Sequence, residues 1–183
     1  MSADSRGQTR PDGGASGVVG GRWAALIRVW SACVVVLLLM ASAAGAACVP
    51  GTVELRGPGG MVRFTVEVAD TPGLRETGLM NRARMASSAG MLFAYPVPEH
   101  AYYWMKNTEI ALDMIFADAT GRVTRVHSDA VPQDETPIDG GPGVSYVLEI
   151  NGGLARRLGL AEGAVMRSAV IAQGGAAWRC DAE

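Results

Sequence analysis

The chain has 183 residues, with 16 basic and 18 acidic side chains and a formal net charge of −2. That length suits one domain with a real core, and the faintly acidic balance argues against nucleic acid as a partner, which would call for a basic face. No internal repeat is visible, and frequent Gly and Pro cut the chain into short pieces that favour strands over long helices.

Residues Met1 to Arg28 carry Arg6, Arg10, Arg22 and Arg28 among small polar residues with no apolar periodicity. The uncharged run Val29 to Met40 follows, shorter than the ~20 residues a spanning helix needs, and then the small residues Ala41 to Ala47. This is the layout of a secretory signal peptide over residues 1–47, cut near Ala46 or Ala47, so an exported protein, periplasmic or extracellular, is expected. Arg22 and Arg28 are not adjacent, so general secretion is favoured over the twin-arginine route. Residues 48–183 form the single remaining domain, retaining 12 basic and 16 acidic residues, a net charge of about −4.

Loss of the leader discards Cys33 and leaves Cys48 and Cys180. Two cysteines in an oxidising compartment point to one disulfide tying the ends of the domain together. The rival is lipidation of Cys48, whose preceding Gly45, Ala46 and Ala47 lack the large aliphatic residue of a lipoprotein signal.

Within the domain, Val53 to Leu55, the turn Gly57 to Gly60, and the alternation of Val62, Phe64, Val66 and Val68 with Arg63, Thr65 and Glu67 predict a hairpin. Thr71 caps a short helix that opens on Pro72 and stops at Gly78. Leu112 to Ala117 and Arg122 to Ala130 flank Asp118-Ala119-Thr120-Gly121, a second hairpin. A strand is expected over Val144 to Ile150, then a helix from Asn151 through Leu158 stopped by Gly159, then a strand over Ala164 to Ile171. The expected fold is mainly β, an antiparallel barrel or sandwich with two short helices.

Tyr95, Tyr102, Tyr103 and Trp104 crowd beside Lys106, the only lysine, followed by Asn107 and Thr108. Extended backbone here would put Tyr102, Trp104, Lys106 and Thr108 on one face, a surface where rings supply area and polar groups supply orientation for a sugar or a planar anion. The plainer alternative buries Trp104 and Met105 and pairs Lys106 with a carboxylate. Asp113 and Glu149 lie in apolar runs, and an acid in such a place needs a partner; Arg75 or Arg82 could supply a structural ion pair, or the carboxyls could act as acid and base. Met80, Met85, Met91, Met105 and Met114 with His100 would suit copper(I) chemically, but their spacing matches no ligand motif, and His100 and His127 stand far apart without paired cysteines. No metal or cofactor is expected.

The strings TPGLRETGLMNR at 71–82, GMLF at 90–93, YYWMKNTEIALD at 102–113 and VLEINGG at 147–153 together resemble domain-of-unknown-function family 192 over roughly Val53 to Val170. The resemblance implies a compact, mostly β domain of barrel or sandwich type, often behind a signal peptide in bacteria, and brings no activity. It singles out Arg75, Gly78, Leu79, Met80 and Arg82, then Gly90, Met91 and Phe93, then Trp104, Lys106, Asn107 and Asp113, and finally Glu149. Ala111 and Ala164 depart from it, where the family usually has proline and the acid of a Gly-Asp pair.

The sequence therefore favours a non-enzymatic domain that binds a small ligand or an envelope partner through Trp104, Lys106 and Asn107, braced by Arg75, Arg82, Asp113 and Glu149. The alternatives are a hydrolase or lyase using the buried carboxylates, or a purely structural envelope protein with a flat surface. Mass spectrometry of the processed protein is expected to give a start at or next to Cys48 and a gain of two hydrogens on reduction; a diacylglycerol adduct on Cys48 would contradict this.

Overall fold

Seven strands account for most of the regular secondary structure: β1 (Thr52–Gly57), β2 (Gly60–Ala69), β3 (Ala89–Tyr103), β4 (Leu112–Ala117), β5 (Val123–Ala130), β6 (Ile138–Asn151) and β7 (Val165–Arg167). Two short helices join them, α1 (Pro72–Thr77) and α2 (Leu154–Arg157). The computed structural model describes residues 47–182; nearly all of the expected signal peptide lies outside the described residues. The strands form one sheet in the order β5-β4-β6-β3-β2-β1-β7. It curls until its ends meet at a bridge between Arg122 and Val165.

Both expected hairpins form. β1 and β2 pair with Val53 opposite Phe64 and Leu55 opposite Val62, which sends the alternating apolar set of both strands to one side. The β4–β5 connection turns on Gly121 at φ +80, and the Asp118 carboxylate accepts from the Thr120 amide at 2.8 Å. Thr71 caps α1 as its sequence predicts, accepting from the Leu74 amide.

The sheet is mixed, and this corrects the expectation of a purely antiparallel one. β2 and β3 run parallel, with Val66 beside Gly90 and Val68 beside Leu92. The physical reason is α1: a helix between two strands carries the chain back to the starting end, and the next strand then runs the same way. Two local readings also change. Asn151 does not cap α2, whose cap is Gly153; the Asn151 amide instead donates to the carbonyls of Met85 and Ala86. The final strand is three residues long rather than eight, because Ser168 turns the chain, its hydroxyl donating to the Thr52 carbonyl at 2.9 Å.

Each sheet face carries its own core. Val53, Leu55, Phe64, Leu92, Ile115, Leu148 and Ile150 fill the concave side with Ala155 of α2 and Met166. Met91, Phe93, Met105, Met114, Phe116 and Val147 form the other core beneath Leu79. Asp113 faces the first, fully buried. One of its oxygens accepts from the amides of Asp129 (2.8 Å) and Gly153 (2.9 Å), the other from Ala155 (2.6 Å), so the carboxylate fixes the start of α2 and the end of β5 together.

The ends of the domain are joined by the disulfide between Cys48 and Cys180, 132 residues apart. On the chain-entropy model such a loop closure stabilises by roughly 4–5 kcal/mol. Next to it, Glu54 is gripped by Arg63 and Arg167; burial alone would raise its pKa, but the two guanidiniums hold it below the usual carboxylate value.

Asp113→Ala is expected to cost about 3–5 kcal/mol, since it strands three backbone amides, two of them in buried bonds. Glu67→Ala, which breaks only the surface pair with Arg82, is expected to cost less than about 1 kcal/mol. Urea unfolding of the two variants checks the contrast, and equal costs would contradict it.

Candidate functional site

β3 ends at Tyr103, and the chain enters a loop anchored by one residue: Met105 is buried against Met114 and Phe116, between exposed Trp104 and half-buried Lys106. Hydrogen bonds pin the loop on two sides. The Met105 amide donates to the Asp134 carbonyl at 2.8 Å, and the Asn81 amide donates to the Asn107 carbonyl at 2.7 Å. Asn81 and Asn107 both adopt left-handed backbone, φ +60 and +53, which asparagine tolerates better than most residues. The extended alternation expected beyond Tyr103 is thus replaced by a turn, but Trp104 still faces outward, 51% exposed, with the Lys106 ammonium 5.3 Å from its ring centre.

Beside this loop lies a cavity of about 210 Å³ whose walls come from α1 and the turn after it (Arg75 to Met80), from β3 (Phe93, Tyr95, Tyr102, Tyr103), and from Trp104, Thr108 and Glu149. Tyr103 is wedged edge-on between Phe93 (ring centres 5.4 Å apart) and Phe116 (5.7 Å), and its hydroxyl is 2.7 Å from that of Tyr95. Arg75 lies over the Tyr95 ring at 5.1 Å and donates through Nη1 to the carbonyls of Asp70 (2.7 Å) and Ala94 (3.0 Å). Burial raises the pKa of both tyrosines, so they are neutral donors and acceptors at physiological pH.

Glu149 forms part of the lining from near the C-terminal end of β6, a strand paired with both β3 and β4. Its residue is 5% exposed, and burial alone pushes its pKa up to about 8; no hydrogen bond or neighbouring cation contributes to the shift. The expected arginine partner is therefore absent among the described residues. Arg75 shares the cavity but spends Nη1 on backbone carbonyls, and Arg82 pairs with Glu67 through both of its terminal nitrogens. At neutral pH Glu149 is a carboxylic acid, able to donate one hydrogen bond and accept others.

Of the residues expected at a site, Trp104, Arg75 and Glu149 line one cavity. Lys106 reaches its rim over Trp104, and the Asn107 amide touches the lining residue Met80 through its sulfur at 3.9 Å. Arg82 and Asp113 do not join them. Asp113 stands opposite Ile150 in the β4–β6 register and Glu149 opposite Met114, so adjacent positions send the two carboxyls to opposite faces of the sheet. An acid–base pair made of both is excluded by that alternation. The pairing of Tyr95 with Tyr103 and the support given by Phe93 had no sequence signal beyond the crowding of aromatics.

A family model for domain-of-unknown-function family 192, described as an uncharacterised ACR, matches residues 53–168. A crystal structure of a protein of unknown function from Novosphingobium aromaticivorans is 42% identical, with a TM-score of 0.61, over 63% of this chain and 82% of that one. A candidate transcription regulator from Sinorhizobium meliloti is 40% identical, with a TM-score of 0.63, over 68% of this chain and 97% of its own. No curated protein matches.

Glu149 generates a definite pH dependence. Unfolding returns it to the ordinary value of 4.5, so above that pH the unfolded chain holds fewer protons than the folded one, and stability falls until Glu149 ionises near 8. Glu149→Gln is expected to remove this fall and to exceed the wild type by on the order of 3 kcal/mol near pH 7. Denaturant titrations of both proteins at about pH 5 and about pH 7 check this, and parallel pH dependence would contradict it.

Proposed function

This chain belongs to domain-of-unknown-function family 192, and from that premise we propose that it is an exported, non-enzymatic binding domain that takes a small polar ligand into the cavity lined by Glu149. The observation that carries the reading is a carboxyl at 5% exposure with no partner among the described residues, opening onto a cavity with aromatic walls. Burying an unpaired acid costs stability, and a ligand that hydrogen-bonds to it recovers part of that cost. Tyr95, Tyr103 and Thr108 supply further hydroxyls, and Trp104 supplies an exposed ring.

Catalysis is less well supported. Asp113, the second carboxyl that acid–base chemistry would call on, spends both oxygens on three backbone amides across the sheet. A purely structural envelope role predicts a flat surface, and a recess of about 210 Å³ beside Glu149 speaks against that. Export is supported by the leader pattern and by the Cys48–Cys180 bridge, a bond that persists in oxidising compartments. The regulator description of the Sinorhizobium relative finds little support in this chain's charge, because residues 48–183 carry 12 basic against 16 acidic side chains.

A thermal-shift screen of the purified protein against sugars, cell-wall fragments and small organic acids tests the reading. A ligand at about 100 times its Kd is expected to add ~2.7 kcal/mol of stability. Trp104→Ala and Glu149→Leu should both fold and lose that shift. A ligand whose stabilisation survives both substitutions would overturn the reading.

A further inference from the structure

The cavity does not end at Trp104. Tyr102, Tyr103 and Trp104 also border a second, open and largely apolar recess of about 470 Å³ closed on its far side by Pro137. These three rings are common to the walls of both recesses. The exposed ring of Tyr102 is braced by a neighbour: His100 stacks on it at 4.6 Å with the planes 11° apart, and His100 Nε2 lies 2.8 Å from an Asp139 carboxylate oxygen. That same oxygen accepts from the Gly141 amide at 2.8 Å, which ties the ring to the β6 backbone. The result is a fixed aromatic shelf continuous with a polar cavity.

We infer that the ligand is an uncharged oligosaccharide, one ring hydrogen-bonded in the Glu149 cavity and the next stacked on the shelf of Tyr102, Trp104 and Pro137. This rests on the cavity being a ligand site. Size supports a ring at a time: about 210 Å³ holds roughly seven waters at liquid density, which one hydroxylated six-membered ring would replace. Chemistry supports a sugar, because a pyranose has an apolar C–H face and a rim of hydroxyls, and the site pairs aromatic faces with a carboxyl, phenols and a threonine hydroxyl. Charge argues against the competitors. A cationic ligand seeking aromatic faces would meet Arg75 already over Tyr95 and Lys106 already over Trp104. An anion would meet Glu76 in the cavity wall, and the one guanidinium there is partly spent on the Asp70 and Ala94 carbonyls.

Calorimetric titration of the purified protein with mono-, di- and tetrasaccharides of β-1,4-linked glucose and of β-1,4-linked N-acetylglucosamine tests the inference. In at least one series, affinity is expected to rise about tenfold from mono- to disaccharide. Tyr102→Ala should flatten the ratio of disaccharide to monosaccharide affinity, and His100→Ala should reduce that ratio in part. Equal affinity at every chain length, or a rise that survives Tyr102→Ala, would overturn the second ring position and leave the cavity reading standing. If no saccharide binds but a charged small molecule does, in a manner lost in Trp104→Ala and Glu149→Leu, the sugar inference fails and the cavity reading survives. Failure of every small molecule to bind would end both.

Discussion

Strand β6 sets the terms for everything around it, because it is hydrogen-bonded on both edges, to β3 and to β4, and so has no freedom to turn a side chain toward water by shifting. Its alternation sends Tyr146, Leu148 and Ile150 into the concave core, and Val147 and Glu149 to the other face. An acid is therefore placed on a largely buried face of the sheet, where it borders a recess. A natural sequence that only had to fold would place an apolar residue there, and breaches of such local rules concentrate at functional sites.

The two buried carboxyls make the contrast plain. Asp113 and Glu149 sit on neighbouring strands, one register position apart, yet Asp113 is satisfied by three backbone amides and Glu149 by nothing among the described residues. The first holds α2 and β5 to the sheet and is part of the architecture. The second stays neutral by burial, and its hydrogen-bonding capacity is left facing a cavity. Arg75, pinned over Tyr95, and Trp104, held outward by its buried neighbour Met105, complete a site whose parts are each fixed before any ligand arrives. Such preorganisation lowers the ordering cost of binding.

Much of the fold was legible in the sequence, where local chemistry decides it. The Phe64, Val66, Val68 alternation, the Thr71-Pro72 helix start and the Gly121 turn all depend on neighbours in the chain, and each forms as read. β3 was hidden because Pro96 and Pro98 interrupt it; its first half pairs with both β2 and β6, while the stretch around the prolines breaks register against β6 instead of continuing the ladder. The parallel β2–β3 pairing depends on where α1 returns the chain, which no local pattern encodes. Asn151 had the chemistry of a helix cap, but it is the last residue of β6, Gly153 takes the cap position, and the Asn151 side-chain amide donates to the Met85 and Ala86 carbonyls. At the site, Trp104, Arg75 and Glu149 were visible by type, while the exclusion of Asp113 and Arg82 required the sheet's faces to be known.

The account turns on Glu149 being an uncharged acid in the native protein, and carbon-13 carboxyl NMR reads that directly. With the resonance assigned through the Glu149→Gln variant, its shift is predicted to stay that of a protonated carboxyl through neutral pH and to move only near pH 8. A midpoint near the ordinary 4.5 would contradict the account, because it would mean that water or an unseen partner already satisfies the group.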